Sequence, residues 1–276
     1  MFRIGRLTGG LAAATLLAAC IAMGGSPAQA QLPGDFNSTR PTVRIEYWQK
    51  RLGEIEQHLA APESLAPIKL VFLGDSLTDF WTMSENPWFP GELGGASVWN
   101  ESFAGSDPLN RGLNLGISGD RTEHVLYRIL LKSEGGLGEL DRPDLAPDVI
   151  VLLIGINNSW DAETPVVESV LDGIRAVAAA VHARKPGALI VLQSLLPTNE
   201  PGRNAQVVVP VNAALAAFAA EDPQAGHVRF LDLYPAFLDE NGGQNRAFFM
   251  DGVHPNESGY RAWRDRLVPF LAAIRP

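Results

Sequence analysis

The nine residues Leu70-Val71-Phe72-Leu73-Gly74-Asp75-Ser76-Leu77-Thr78 decide how the rest of the chain is read. Residues 68–73 are apolar except for Lys69, and the run stops at Gly-Asp-Ser. That is the length and boundary of a parallel strand buried on both faces. If a helical turn begins at Leu77, Ser76 sits at the carboxyl edge of a sheet, where free backbone N–H groups and the positive end of a helix dipole converge. A nucleophile suits that seat, but an ordinary strand-to-helix turn capped by Asp75 or Ser76 has the same sequence. The stretch alone leaves both readings open.

Working outward, the segment before it supplies one helix. Ile45, Trp48, Leu52, Ile55 and Leu59 recur every three or four residues, while Glu46, Lys50, Arg51 and Glu54 fall on other faces, and Pro62 and Pro67 stop the pattern. After it, residues 80–111 are rich in Trp, Asn, Gly and Pro. They read as the rim of a site, with burial over a neighbouring helix the competing reading for Trp99 and Phe103. Residues 113–115 form a short strand ending in Gly116-Ile117-Ser118-Gly119-Asp120, and Asp120 is placed to cap a helix carrying Val125, Leu126, Ile129 and Leu130.

Residues 149–154 are the most apolar run after the N-terminus, as a central strand requires, and end in Gly155-Ile156-Asn157-Asn158. Thr164-Pro165 opens a long helix whose inner face carries Val167, Val170, Leu171, Ile174, Val177, Ala178 and Val181. Strands at 189–192 and 228–231 flank a helix with Val211, Leu215 and Phe218. A last helix carries Tyr260, Trp263, Leu267 and Leu271, with Pro269 expected to kink or end it. Strands alternating with helices imply parallel pairing and right-handed crossovers. The expected fold is therefore α/β, a three-layer α/β/α sandwich with a flavodoxin-like parallel sheet of about five strands.

Composition fits one such domain: 276 residues, 46% hydrophobic and 19% charged. Arg3 and Arg6, the Leu/Ala-rich run that follows and Ala28-Gln29-Ala30 read as an export signal over residues 1–30, with the domain over 31–276. Leu17-Ala18-Ala19-Cys20 keeps a lipoprotein box, and so a lipid anchor at Cys20, open as the alternative; the destination is periplasmic or secreted either way. Cys20 is the only cysteine, so cleavage after Ala30 leaves no disulfide. The same cleavage removes two arginines and no acid, taking the formal charge from -9 to -11. That argues against a nucleic-acid partner. No later stretch is long and apolar enough for a membrane span.

A serine hydroxyl needs a base to take its proton, and the base needs a partner that fixes its tautomer. His58, His182 and His227 lie at helix ends or at the opposite sheet edge, where surface or capping roles suit them. His124, one turn beyond Gly119, is a rim candidate. His254 lies in Asp251-Gly252-Val253-His254-Pro255, with a carboxylate three residues upstream and a helix following. A turn in which Asp251 and Asn256 only cap backbone is the bland alternative.

Gly74-Asp75-Ser76-Leu77, Gly116-Ile117-Ser118-Gly119-Asp120, Gly155-Ile156-Asn157-Asn158 and Asp251-Gly252-Val253-His254-Pro255 resemble, in order and context, the four sequence blocks of the SGNH hydrolases, also called GDSL esterases. The resemblance implies that Ser76 is the nucleophile, His254 the general base and then acid, and Asp251 its orienting partner. It also implies an oxyanion hole made by the N–H groups of Ser76 and Gly119 and the side-chain amide of Asn157, with no cofactor and no metal. Asn158 departs from the commoner Gly-x-Asn-Asp block. With Gly119-Asp120-Arg121-Thr122-Glu123-His124 and Leu195-Leu196-Pro197, it is similar to the branch of platelet-activating-factor acetylhydrolase catalytic subunits and their bacterial relatives, which implies short acyl groups. The expected activity is esterase action on short-chain, above all acetyl, esters, with a carbohydrate as the alcohol part. A lysophospholipase or broad lipase is the runner-up, and a non-catalytic flavodoxin-like binding module the reading from another class. Gly-x-Ser-x-Gly, Gly-Lys-Ser/Thr and His-Glu-x-x-His are absent.

Overall fold

The computed structural model describes residues 35–45, 47–160, 163–221 and 223–275. The expected leader and Cys20 lie outside the described residues. Helix α1 (Tyr47–Leu59) and a single turn α2 (Pro62–Leu65) precede β1 (Leu70–Gly74), which runs into α3 (Ser76–Asp79). Then come α4 (Ala96–Ser102), β2 (Gly112–Asn114), α5 (Thr122–Ile129), β3 (Val149–Leu153) and α6 (Val166–Arg184). The rest is β4 (Leu189–Gln193), α7 (Pro201–Arg203), α8 (Val209–Ala220), β5 (Val228–Leu231) and α9 (Glu257–Ile274).

All strand pairs are parallel and the sheet order is β2-β1-β3-β4-β5, with Val71 opposite both Leu113 and Ile150, and Ile150 opposite Ile190. Burial follows from that order. Every residue of β1 and β3 is buried, whereas the edge strands β2 and β5 keep half-exposed positions. Helices α5, α6 and α8 pack side by side, and α4 packs on α9. With right-handed crossovers these are the two layers covering the sheet. The chain leaves β1 for one side of the sheet and returns to β3 on the other. The crevice between their carboxyl ends is therefore the topological switch point where open α/β sheets take ligands. Ser76 follows one of those ends and Asn157 the other.

Four expectations change in detail. Ile45 precedes α1 and is 70% exposed, while Arg51, expected on an outer face, is buried with Trp48, Ile55 and Leu59. Trp81 is core and not rim, and for Trp99 and Phe103 the burial reading is the one that holds: all three rings pack around Phe72 of β1, which leaves Trp88 as the exposed aromatic of that segment. Asp120 does not cap α5; Arg121 holds the cap position and Asp120 is buried in ion pairs. Pro269 does not end α9, which continues to Ile274, because Pro269 sits on the exposed face where the carbonyl it leaves free can be hydrated.

Candidate active site

Gly74 ends β1 because any side chain there would collide with the Leu153 carbonyl and the Thr78 side chain. Asp75 then caps α3, accepting the Leu77 N–H at 3.0 Å. The capping role falls to Asp75, so the Ser76 hydroxyl is left for another partner. That partner is His254, whose Nε2 lies 3.0 Å from Ser76 Oγ. The Tyr260 hydroxyl of α9 donates to the Leu77 carbonyl at 2.8 Å, tying the last helix to the turn that carries Ser76.

The three-residue spacing of Asp251 and His254 works because the carboxylate divides its oxygens. Oδ1 accepts the backbone N–H groups of Val253 and His254, each at 2.7 Å, which closes the turn; Oδ2 lies 2.9 Å from His254 Nδ1. Backbone capping and ring orientation, the competing readings of this stretch, occur together. Burial alone would raise the Asp251 pKa, but the hydrogen bonds from the His254 ring and backbone hold it below the usual carboxylate range. With Nδ1–H donated to Asp251, Nε2 is the lone pair facing the Ser76 hydroxyl and can accept its proton. Phe80 stacks on the His254 ring at 5.1 Å and Phe89 packs at 5.6 Å; Trp88 lies against Phe80.

The second block is clamped from below. Asp79 Oδ2 accepts the Ser118 N–H at 3.0 Å, the Ser118 hydroxyl at 2.7 Å and the Tyr47 hydroxyl at 3.2 Å, while Arg51 Nε pairs with Asp79 Oδ1 at 3.0 Å and donates to the Gly116 carbonyl. Burial raises the Asp79 pKa despite Arg51. Gly119 adopts φ +80°, a backbone conformation that favours glycine. Among the described residues neither its N–H nor that of Ser76 has an acceptor. Asn157 of the third block donates from Nδ2 to the Asp120 carbonyl at 2.8 Å, which fixes its amide beside that loop and leaves the second amide hydrogen.

His124 has a different task. Its Nδ1 accepts the Arg121 N–H at 2.9 Å, and burial, with Arg44, Arg121 and Arg128 nearby, pushes its pKa down to about 3. His182 and His227 stack on each other at 3.6 Å near the start of β5, and His58 lies in the last turn of α1. A surface hollow of about 480 Å³ beside β2, lined by Arg51, His58, Trp99 and Arg111 among others, includes no residue of the four blocks. Arg44, Tyr47, Arg51 and Asp79 are the polar residues that the motifs do not announce. Only Arg51 had a legible signal, its place between Trp48 and Ile55 on the buried stripe of α1.

Comparison with known proteins gives the family. The family model of the GDSL-like lipase/acylhydrolase family matches residues 72–262. Platelet-activating factor acetylhydrolase IB subunit alpha1 of Homo sapiens is 33% identical over 215 residues, 74% of this chain and 77% of that protein. Subunit alpha2 of Rattus norvegicus is 32% identical over 192 residues, 69% and 70% of the two chains. In fold, a GDSL-like lipase from Bacteroides thetaiotaomicron superposes with a TM-score of 0.55 at 20% identity, over 80% of this chain and 98% of that one. On the matched span, the shared sequence and the common sheet, this chain belongs to the GDSL-like lipase/acylhydrolase family and is a carboxylic ester hydrolase.

Proposed function

We propose that the protein hydrolyses short-chain acyl esters, acetyl esters above all, through an acyl-enzyme on Ser76. One observation carries the reading: Asp251 Oδ2, His254 and Ser76 Oγ stand in a line of contacts at 2.9 and 3.0 Å. His254 takes the Ser76 proton as the hydroxyl attacks the ester carbonyl, returns it to the leaving alcohol, then activates the water that releases the acid; Asp251 holds the ring in the required tautomer. The N–H groups of Ser76 and Gly119 and the Asn157 amide receive the charge on the tetrahedral oxygen.

Relatives at 32–33% identity that are named acetylhydrolases support the short acyl group. We take the alcohol part to be carbohydrate and the site of action to be outside the cytoplasm. The second statement rests on residues 1–30 alone, and an intact-mass measurement placing the mature N-terminus at Gln31, or a lipidated Cys20, tests it.

Initial rates on p-nitrophenyl esters from acetate to palmitate test the acyl preference. A maximum at acetate to butyrate is expected, and a maximum at long chains replaces this reading with a lipase or lysophospholipase. Labelling of Ser76 by a fluorophosphonate separates an esterase from a binding module, which would stay unmodified.

A further inference from the structure

Arg44 lies outside the family's motifs and before the first residue of the matched span, yet its guanidinium reaches the loop that carries Gly119. Nη1 donates to the Ser118 carbonyl at 3.0 Å and to Asp120 Oδ1 at 2.9 Å. The planar group lies over Gly119 so closely that a Cβ there would sit 2.8 Å from Nη2. The Arg44 side chain keeps 25% of its surface exposed, whereas Asp120 is fully buried and is also held by Arg128 at 3.0 Å. The segment bearing Arg44 is itself fastened: Thr42 N–H donates to the Glu123 carbonyl at 2.9 Å, and Tyr47 packs edge-on against Trp88 at 5.1 Å.

The bonded carbonyl matters because the Ser118 C=O and the Gly119 N–H belong to one peptide unit. Resonance keeps the two groups in one plane and couples their charges, so a cation on the oxygen orients the N–H and makes it a stronger donor. Asp79 grips the preceding unit through the Ser118 N–H, so the Ser118–Gly119 peptide is held on the carbonyl side by Arg44 alone among the side chains described.

We propose that Arg44 is a positioning residue for ester hydrolysis, acting through the Ser118–Gly119 peptide to aim and polarise the Gly119 N–H at the oxygen that becomes charged. The inference rests on the proposed role of Gly119 as an oxyanion donor. It assigns to the N-terminal segment a part in catalysis that touches neither the acyl group nor the alcohol.

The test compares the full chain with Arg44→Met, which keeps the apolar stem, and Arg44→Ala. On p-nitrophenyl acetate kcat should fall about 10- to 50-fold in both, a fraction of the 10² to 10³ lost when a whole oxyanion donor is removed, with KM within about threefold. Binding of a boronic acid, whose tetrahedral adduct on Ser76 carries the charge, should weaken by the same factor as kcat/KM. Millimolar guanidinium chloride should restore part of the Arg44→Ala kcat without changing its melting temperature. Arg44→Met with unchanged kcat, or a raised KM at constant kcat, overturns the proposal, the latter because it would make Arg44 a substrate contact. If Arg44→Ala fails to fold, Arg44→Met alone decides on the kcat and boronic-acid readouts. Failure of the underlying reading looks different: the unmodified protein itself would then resist fluorophosphonate labelling.

Discussion

Asn158 Nδ2 donates to Glu123 Oε2 at 2.8 Å, and both side chains are buried. The same amide donates to Thr122 Oγ1 and accepts the Thr122 N–H through Oδ1, so both side-chain polar atoms of Asn158 are satisfied by α5. This accounts for the departure from the commoner acid at this position. An aspartate would aim a second carboxylate at Glu123 and lose the amide hydrogens that Asn158 gives to Glu123 and Thr122.

Asn158→Asp should therefore destabilise the fold by about 2 to 4 kcal/mol, the cost of leaving buried acceptors facing each other. Adding Glu123→Gln restores an amide between the two positions and should recover part of the loss. Urea unfolding of both single variants and the pair measures it. A second substitution that merely adds its own cost would show that the Asn158–Glu123 contact does not set the residue choice.

The buried acid next to Ser76 makes stability depend on pH in an unusual sense. Burial pushes the Asp75 pKa up from 3.8 to about 7, against the hydrogen bond from the Leu77 N–H and with help from Asp120 and Asp79. Between those values the folded chain keeps a proton that the unfolded chain has released. The group's contribution is thus complete below about pH 4 and is lost as pH rises to about 7, at up to about 1.4 kcal/mol per unit. Asp75→Asn cannot titrate, so its stability relative to the parent should climb from pH 4.5 to 7 and then level off. His124 titrates in both proteins and cancels in the difference. A pH-independent difference would mean that Asp75 is ionised throughout.

Much of this was legible because it is local. The strands are short apolar runs, three of the four motif turns follow strand ends and the fourth precedes α9, and those turns name the proposed site residues Ser76, Asn157, Asp251 and His254. What the sequence hides is long-range. Arg51 and Asp79 meet across 28 residues and Arg44 and Ser118 across 74, and a buried ion pair looks in sequence like two surface charges. Trp81 misleads in the opposite way, and Trp99 and Phe103 leave rim and burial both open. Their Gly- and Pro-rich setting suggests a rim, but the rings fill the space over Phe72, which a one-dimensional pattern cannot show.

Asn157→Ala tests the side-chain donor. Its amide is already oriented by the Asp120 carbonyl at 2.8 Å, so the variant loses a group that is in place before substrate arrives. kcat should drop by about 10² to 10³ with KM nearly constant, because the second hydrogen bond matters once the oxygen carries charge. Steady-state kinetics on p-nitrophenyl acetate decides. A KM effect at constant kcat would assign Asn157 to ground-state binding instead.

The choice of base is the sharpest test, since two histidines lie near the carboxyl edge of the sheet, His124 in the first turn of α5 and His254 on the loop before α9. His124 uses its Nδ1 lone pair on the Arg121 N–H, and its surroundings hold its pKa near 3, so it has no appetite for a proton at neutral pH. His254 has its Nε2 at 3.0 Å from Ser76 Oγ and its Nδ1 on Asp251. His254→Ala should lower kcat by about 10⁴. Asp251→Asn should cost somewhat less. The Asn oxygen can still accept the Val253 and His254 N–H groups that close the turn, but its NH₂ then faces Nδ1 and favours the tautomer that puts the proton on the wrong nitrogen. The double variant should be hardly worse than His254→Ala, because the two act as one unit. His124→Ala should keep its activity and lose about 1 kcal/mol of stability, the usual worth of a helix-start hydrogen bond. Rates and circular dichroism for all four variants settle the matter: a folded, inactive His124→Ala beside an active His254→Ala would mean that Ser76 takes its base from α5.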